Sequence, residues 1–227
     1  MSRKLKEGFP MGIQSTETDM FLNLDENKKQ RILGAAIDEF AHKSYGNASM
    51  NVVVEKAGIS KGALFKYFTS KEGLFAYVYR MSLRKIKDYL RAVRDGSEDE
   101  DFFVRLEKVM LAGIDFTQVH PGLARIYYRI IFTGDSPYKR DILAEIRGES
   151  LEFIQSLVQK GIDRGELRPN LDPKTAAFVV ESVVDRFVQS HNVQFMEPPL
   201  HTGDARARNS GQWSVEIIEL LRKGMGF

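Results

Sequence analysis

Five lysines, Lys43, Lys56, Lys61, Lys66 and Lys71, fall between positions 43 and 71, where the single carboxylate is Glu55. A surface of one sign suits a duplex-binding head, because neutralising phosphates supplies most of the sequence-independent affinity for nucleic acid. Lys61, Gly62, Ala63 and Lys66 are spaced to face outward from a short helix, and those positions reach base edges when such a helix lies in the major groove. Two of the four have no polar side chain. Hydrogen-bond readout would rest on Lys61 and Lys66, with Ala63 and Phe65 offering apolar contact to thymine methyls. Tyr67 and Lys71 would grip phosphates, as would helix N-terminal amides behind the caps Ser49, Ser60 and Ser70.

These side chains need a support that presents them together. Ser49 and Gly58 bracket a helix over 50–57, and Ser60 starts another over 61–68. Gly58 allows the positive φ of the tight turn between them. Ile59 and Leu64 are the apolar pins of the second helix. The bland alternative is a bend in a helical bundle with a solvated lysine face, which leaves the turn glycine and the short helices unexplained. Ahead of the pair, a helix starting near Asn23 or Asp25 carries Ile32, Leu33, Ala36, Ile37 and Phe40 and stops before Gly46. Residues 1–22 lack periodicity and are expected to be a mobile tail, with Arg3, Lys4 and Lys6 a solvated terminus rather than a minor-groove arm.

A long helix over 71–94 follows, and Asp95-Gly96-Ser97 breaks the pattern. The division predicted is a tail (1–22), a helix-turn-helix head (23–70), a connecting helix (71–94) and a helical remainder (95–227). Charge divides the same way. Residues 1–95 hold 17 Lys+Arg against 11 Asp+Glu, and residues 96–227 hold 16 against 20. Only the first part is suited to a polyanion. Helical periods continue over 101–117, 122–132, 138–163, 173–195 and 213–222, with no sustained alternation of strand type. The fold class expected is all-α.

The absence of cysteine excludes disulfides and thiolate zinc sites, no apolar run approaches the roughly 20 residues of a membrane span, and no export signal is visible; the expected location is the cytoplasm. No H-E-x-x-H, Walker loop, G-x-S-x-G or cysteine nucleophile is present, and His42, His120, His191 and His201 show no metal-ligand spacing. An enzyme is not expected, nor a cofactor.

The run Ala57-Gly-Ile-Ser-Lys-Gly-Ala-Leu-Phe-Lys-Tyr-Phe-Thr-Ser-Lys-Glu-Gly-Leu74 closely resembles the signature of the tetracycline-repressor (TetR) family of bacterial transcriptional regulators. Arg31-Ile-Leu-Gly-Ala-Ala-Ile-Asp-Glu-Phe40, followed by Tyr45-Gly46, extends the likeness, which covers about residues 28–75. The resemblance implies a three-helix DNA-binding domain, then a larger helical domain that dimerises and binds a small molecule, and an operator of two half-sites. It places base contacts at Lys61, Gly62, Ala63 and Lys66, and backbone contacts at Ser49, Tyr67 and Lys71. Phe65 stands where the family usually has tyrosine, and Val54 where it usually has a small residue.

By the same analogy the 173–195 and 213–222 helices would form a homodimer interface, with Ala176, Ala177, Val180, Val183, Val184 and Phe187 as its apolar stripe; part of that stripe would pack inside its own subunit in any case. A small hydrophobic or aromatic effector would be held among Phe103, Met110, Phe116, Tyr127, Tyr128, Phe132 and Phe153, with Arg105, His120 and Arg129 as candidate polar anchors; plain core is the alternative for any one of these aromatics. Effector binding would move the 71–94 helix and release a palindromic operator. The rival expectation is a helical partner-binding module whose basic end contacts protein or RNA.

Overall fold

The computed structural model describes residues 17–133, 136, 139–192 and 210–227. The described residues form ten helices: α1 (Asp19–Leu22), α2 (Glu26–Asn47), α3 (Met50–Ala57), α4 (Lys61–Tyr67), α5 (Lys71–Asp95), α6 (Phe102–Val119), α7 (Pro121–Thr133), α8 (Lys139–Asp163), α9 (Pro173–Asn192) and α10 (Ser210–Met225). Among the described residues the only β-type pairings are the isolated bridges Glu17–Phe68 and Leu167–Gly226. The all-α expectation holds.

The helices group into two compact units. The first comprises residues up to Lys85 together with His120–Glu145; the second comprises Ile86–Val119 and Ile146–Phe227. This grouping differs from a head of 23–70 followed by one remainder, because α7 packs against α2. The approach is close: a Cβ on Gly122 would lie 2.7 Å from Ile37 Cγ2. Local periodicity shows that α7 has a buried face, containing Leu123, Ile126 and Ile130, but not which helix covers it.

The first unit begins earlier than the sequence suggests. Asp25 caps α2 as expected, accepting from Lys28 N at 2.9 Å. However, residues 17–22 are a docked strap rather than a mobile tail. Phe21 is 0% exposed, its ring centroid lying 4.5 Å from that of Phe68, 5.3 Å from Tyr77 and 6.2 Å from Tyr67. Residues 1–16, with Arg3, Lys4 and Lys6, lie outside the described residues.

Near its end α2 kinks at Ser44, where φ is 65° and ψ 172°, a conformation that L side chains adopt only under strain. The kink interrupts the helical ladder, and α7 covers the carbonyls beside it. The Arg129 guanidinium donates from Nε to Ala41 O (2.7 Å) and from Nη2 to His42 O (3.0 Å). Arg125 Nη1 meets His42 Nε2 at 2.8 Å, so this nitrogen is the acceptor and the ring proton sits on Nδ1, facing Asp38 O at 2.8 Å.

The core of the second unit is built from Phe102, Phe103, Leu106 and Met110 of α6, Ile154 and Val158 of α8, Ala177, Val180 and Phe187 of α9, and Ile218 of α10. Gly165, at φ 71°, ends α8 in the left-handed region. The chain terminus closes on that turn through Arg168 N to Met225 O, 3.0 Å.

Candidate nucleic-acid interface

The hinge of the basic head is built as its sequence implies. Gly58 has φ 65° and ψ 41°, and Ile59 N reaches back to Val54 O at 3.1 Å, a six-to-one closure that ends α3. Ser60 then caps α4 through its hydroxyl oxygen, which accepts from Ala63 N at 3.1 Å. Ser70 does the same for α5, accepting from Gly73 N at 3.0 Å. Leu64 is buried and pins α4 down, whereas Ile59 is half-buried. The residues left exposed are Lys61, Gly62, Phe65 and Lys66, which share one face at i, i+1, i+4 and i+5; Ala63 beside them is half-buried.

Three sequence-predicted contacts sit differently. Ser49 makes no side-chain cap to α3; its backbone N–H instead donates to Glu39 Oε1 at 2.8 Å, and Glu39 is itself a buried carboxylate. Tyr67 is buried, its ring against Phe21 and beneath the Lys28 ammonium, 5.8 Å from the centroid. Lys71 is tied inward, donating to Gly46 O at 3.0 Å with its Nζ 5.0 Å from the Tyr45 ring centroid. An ammonium carries three donors, so Lys71 can still meet a phosphate from this tethered position.

The five lysines are therefore not equivalent. Lys56 pairs with Asp38, and the hydrogen bond from Lys56 holds the Asp38 carboxyl below its ordinary value while the lysine is pushed up. Lys43, Lys61 and Lys66 are exposed and form no ion pair among the described residues. Of the five lysines, these three are the unpaired ones among the described residues.

What sequence reasoning missed is the support behind Lys66. Thr18 Oγ1 donates to Lys66 O at 2.8 Å, and Thr18 N donates to Tyr67 O at 3.0 Å. Both carbonyls belong to the last turn of α4, where a helix has no internal partners for them. Glu17 adds a 3.3 Å ion pair with Arg80 of α5. The available signal was the Met20-Phe21-Leu22 triplet behind Thr18, too short for a period to emerge.

Residues 32–78 match the family model for bacterial regulatory proteins of the tetR family, and residues 100–226 match the model for the tetracyclin repressor-like C-terminal domain. The chain belongs to the TetR family. It is accordingly a DNA-binding transcriptional regulator, and its relatives are regulators rather than enzymes. An HTH-type transcriptional regulator of Bacillus subtilis, YvdT, is 25% identical over 199 residues, 88% of this chain and 95% of its own. RutR of Escherichia coli (strain K12) is 27% identical over 154 residues, 67% of this chain and 70% of its own. Among solved structures, a TetR family transcriptional regulator from Chloroflexus aurantiacus superposes with a TM-score of 0.71 at 27% identity, covering 94% of this chain and all of the other. FadR of Bacillus subtilis, solved with stearoyl-CoA, shares the fold (TM-score 0.67, 17% identity, covering 86% of this chain and 98% of the other).

The TetR residues expected to line an effector pocket do not gather in one unit. Phe103 and Met110 are buried in the core of the second unit, Phe153 packs against that core, and the Phe116 ring lies 6.1 Å from Tyr89. Tyr127, Tyr128 and Phe132 belong to the first unit, where the Tyr127 and Phe132 rings lie 5.1 and 6.3 Å from that of Tyr128. The suggested anchor Arg129 is spent on capping α2. The imidazole of His120 is pushed below its ordinary value by burial and by the charge of Lys85. The second unit has a groove of about 330 Å³ between α5 and α6, lined by Tyr89, Val93, Lys108, Leu111, Ala112 and Asp115 among others. None of the seven predicted aromatics lines it. No described helix is long and apolar enough to cross a membrane, and no group of described residues could hold a metal ion.

Proposed function

We propose that this TetR-family regulator is a homodimeric repressor that reads a palindromic operator with α4 and is released by a small apolar or aromatic effector. The observation that carries the operator half of this reading is the single exposed face of Lys61, Gly62, Phe65 and Lys66 on a capped helix held by the Gly58 turn. Lys61 and Lys66 would address base edges, Phe65 thymine methyls, and Lys43 and Lys71 phosphates.

Two-fold symmetry in the operator calls for a two-fold reader. The stripe Ala176, Ala177, Val180, Phe187 turns inward to its own core, with Val183 and Val184 half-buried. A different face of the same helices supports dimerisation: Phe178 (63% exposed) and Val179 on α9, and Val215 and Leu220 (71%) on α10. Apolar side chains of this size left in water suit a partner surface. Effector release is favoured by the apolar groove and by the lipid thioester held in the similarly folded FadR.

Fluorescence anisotropy with duplexes from the region upstream of the protein's own gene tests the reading. Affinity should fall steeply with salt; Lys66→Ala should lower the affinity, and Lys71→Ala should lower the salt slope by about one unit. Absence of binding to every such duplex at low salt would sink it.

A further inference from the structure

Arg105 lies on α6 among apolar side chains and is 4% exposed. Its Nε has no hydrogen-bond partner, and its guanidinium forms no ion pair among the described residues. The carboxylates around this part of α6 are committed elsewhere. Asp101 Oδ1 accepts from Phe103 N at 2.8 Å and faces Arg222 at 3.7 Å. Glu166 Oε2 accepts from Phe102 N at 2.8 Å. Glu107 Oε1 accepts from Ser214 Oγ at 2.9 Å. Glu100 Oε1 accepts from Lys108 Nζ at 2.6 Å, and its other oxygen is buried without a partner, yet makes no pair with Arg105.

A guanidinium withdrawn this far from water, with Nε buried and unmatched, destabilises a folded protein, because much of its hydration is lost and no acceptor replaces it. Chains keep such a group where a ligand supplies the missing acceptor, a case of stability given up for function. Arg105 is not itself in the groove lining but stands one turn before Lys108 and two before Ala112 on the same face of α6, and these two line the groove beside Tyr89, Val93 and Leu111, so a ligand filling it has to extend one turn toward the start of α6 to meet the guanidinium. We propose that Arg105 anchors the carboxylate of a small ligand whose apolar body lies in this groove.

A planar guanidinium takes a carboxylate through two parallel hydrogen bonds. A monoanion fits better than a phosphate dianion. The other cation on this face, Lys108, is already paired with Glu100, and Asp115, two turns further along α6, repels a second negative charge. The inference rests on the proposed effector-binding role and narrows it to an amphipathic carboxylic acid.

Calorimetric melting of the full-length protein tests it, with 4-phenylbutyrate as probe and its neutral amide, 4-phenylbutyramide, as control. In the absence of ligand, Arg105→Met should melt above the wild type, since an apolar chain of similar length removes the unmatched charge. Phenylbutyrate should raise the wild-type melting temperature and the amide should not. Arg105→Met should bind phenylbutyrate at least tenfold more weakly, and Arg105→Lys should retain part of the response. A lower melting temperature for ligand-free Arg105→Met, including failure to fold, overturns the proposal by showing that Arg105 is a structural group. So does a wild type indifferent to phenylbutyrate. Neither result touches operator binding, and a wild type that ignores its operator would defeat the repressor reading while leaving this site standing.

Discussion

Phe21→Ala is the most informative single change, because it acts on the interface from behind without removing any group that faces DNA. The ring is fully buried among Tyr67, Phe68 and Tyr77. Truncating a phenylalanine in such a site costs about 3–5 kcal/mol, from lost transfer energy and from the cavity left behind. The strap is a short segment ahead of α2, so it answers this loss by undocking rather than by unfolding the head. Undocking removes the two Thr18 hydrogen bonds to Lys66 O and Tyr67 O, each contributing about 1 kcal/mol, and uncaps the last turn of α4. Lys66 would then spend most of its time on a frayed end. Apparent operator affinity falls by the fraction of molecules in which that turn is formed, and a loss of about 1.4–2 kcal/mol there corresponds to roughly ten- to thirtyfold. Anisotropy gives the affinity, and amide hydrogen exchange of residues 61–68 gives the fraying. Phe21→Leu, which refills most of the volume, should recover most of both. Unchanged affinity and unchanged exchange in Phe21→Ala would refute the role assigned to the strap.

Gly58→Ala has open space for its Cβ, with nothing within 4 Å, but must hold φ at +65°; it should destabilise the head by about 1–2 kcal/mol, seen as a lower urea midpoint by circular dichroism. Phe178→Glu combined with Leu220→Glu should convert a dimer to monomers in light scattering, with little change in the fluorescence melt of Trp213, because both side chains are exposed in the subunit. Burial holds the Asp185 carboxyl above its ordinary value of 3.8, against the opposing hydrogen bond from Gln189 and the charge of Arg147. The folded state therefore binds this proton more tightly than the unfolded chain, and stability falls as pH rises from 3.8 through the elevated value. Asp185→Asn should flatten that slope and stabilise the protein at neutral pH, measured by urea titration at several pH values.

The head was legible in the sequence to within a residue or two at α3, α4 and α5, because each boundary there is enforced by a local residue. Gly58, Ser60 and Ser70 act within three or four positions of themselves, and such signals survive without tertiary context. The strap was not legible. Phe21 is ordered by Phe68 and Tyr77, some fifty residues away, and a four-residue helix is too short to carry a period. Ser49 failed as a cap for a related reason. It has the right residue type, but the buried Glu39 from α2 holds its backbone N–H. The α9 stripe shows the limit of periodicity itself. The period correctly marks Ala177, Val180 and Phe187 as apolar and in line, but one helix here carries both a core face and an exposed apolar face, and only packing separates Val180 from Phe178.

The exposed face of α4 constrains how any operator can be chosen. Lys61 and Lys66 bring ammonium donors, which are point charges with freely rotating hydrogens and impose less geometry on a base edge than a guanidinium or an amide does. Between them stand Gly62, which would let the backbone itself approach the groove floor, and Phe65, which has no hydroxyl to spend on phosphate. A surface of this kind gains little from the hydrogen-bond code and more from methyl contacts, close fit and the cost of deforming the duplex. Fit of that sort depends on α4 being held at one height and one tilt. The last turn of α4 has no cap of its own for the carbonyls of Lys66 and Tyr67, and Thr18 meets both. The poverty of polar groups on the reading face and the strap behind it are thus two parts of one arrangement, in which rigidity of placement stands in for a richer set of donors.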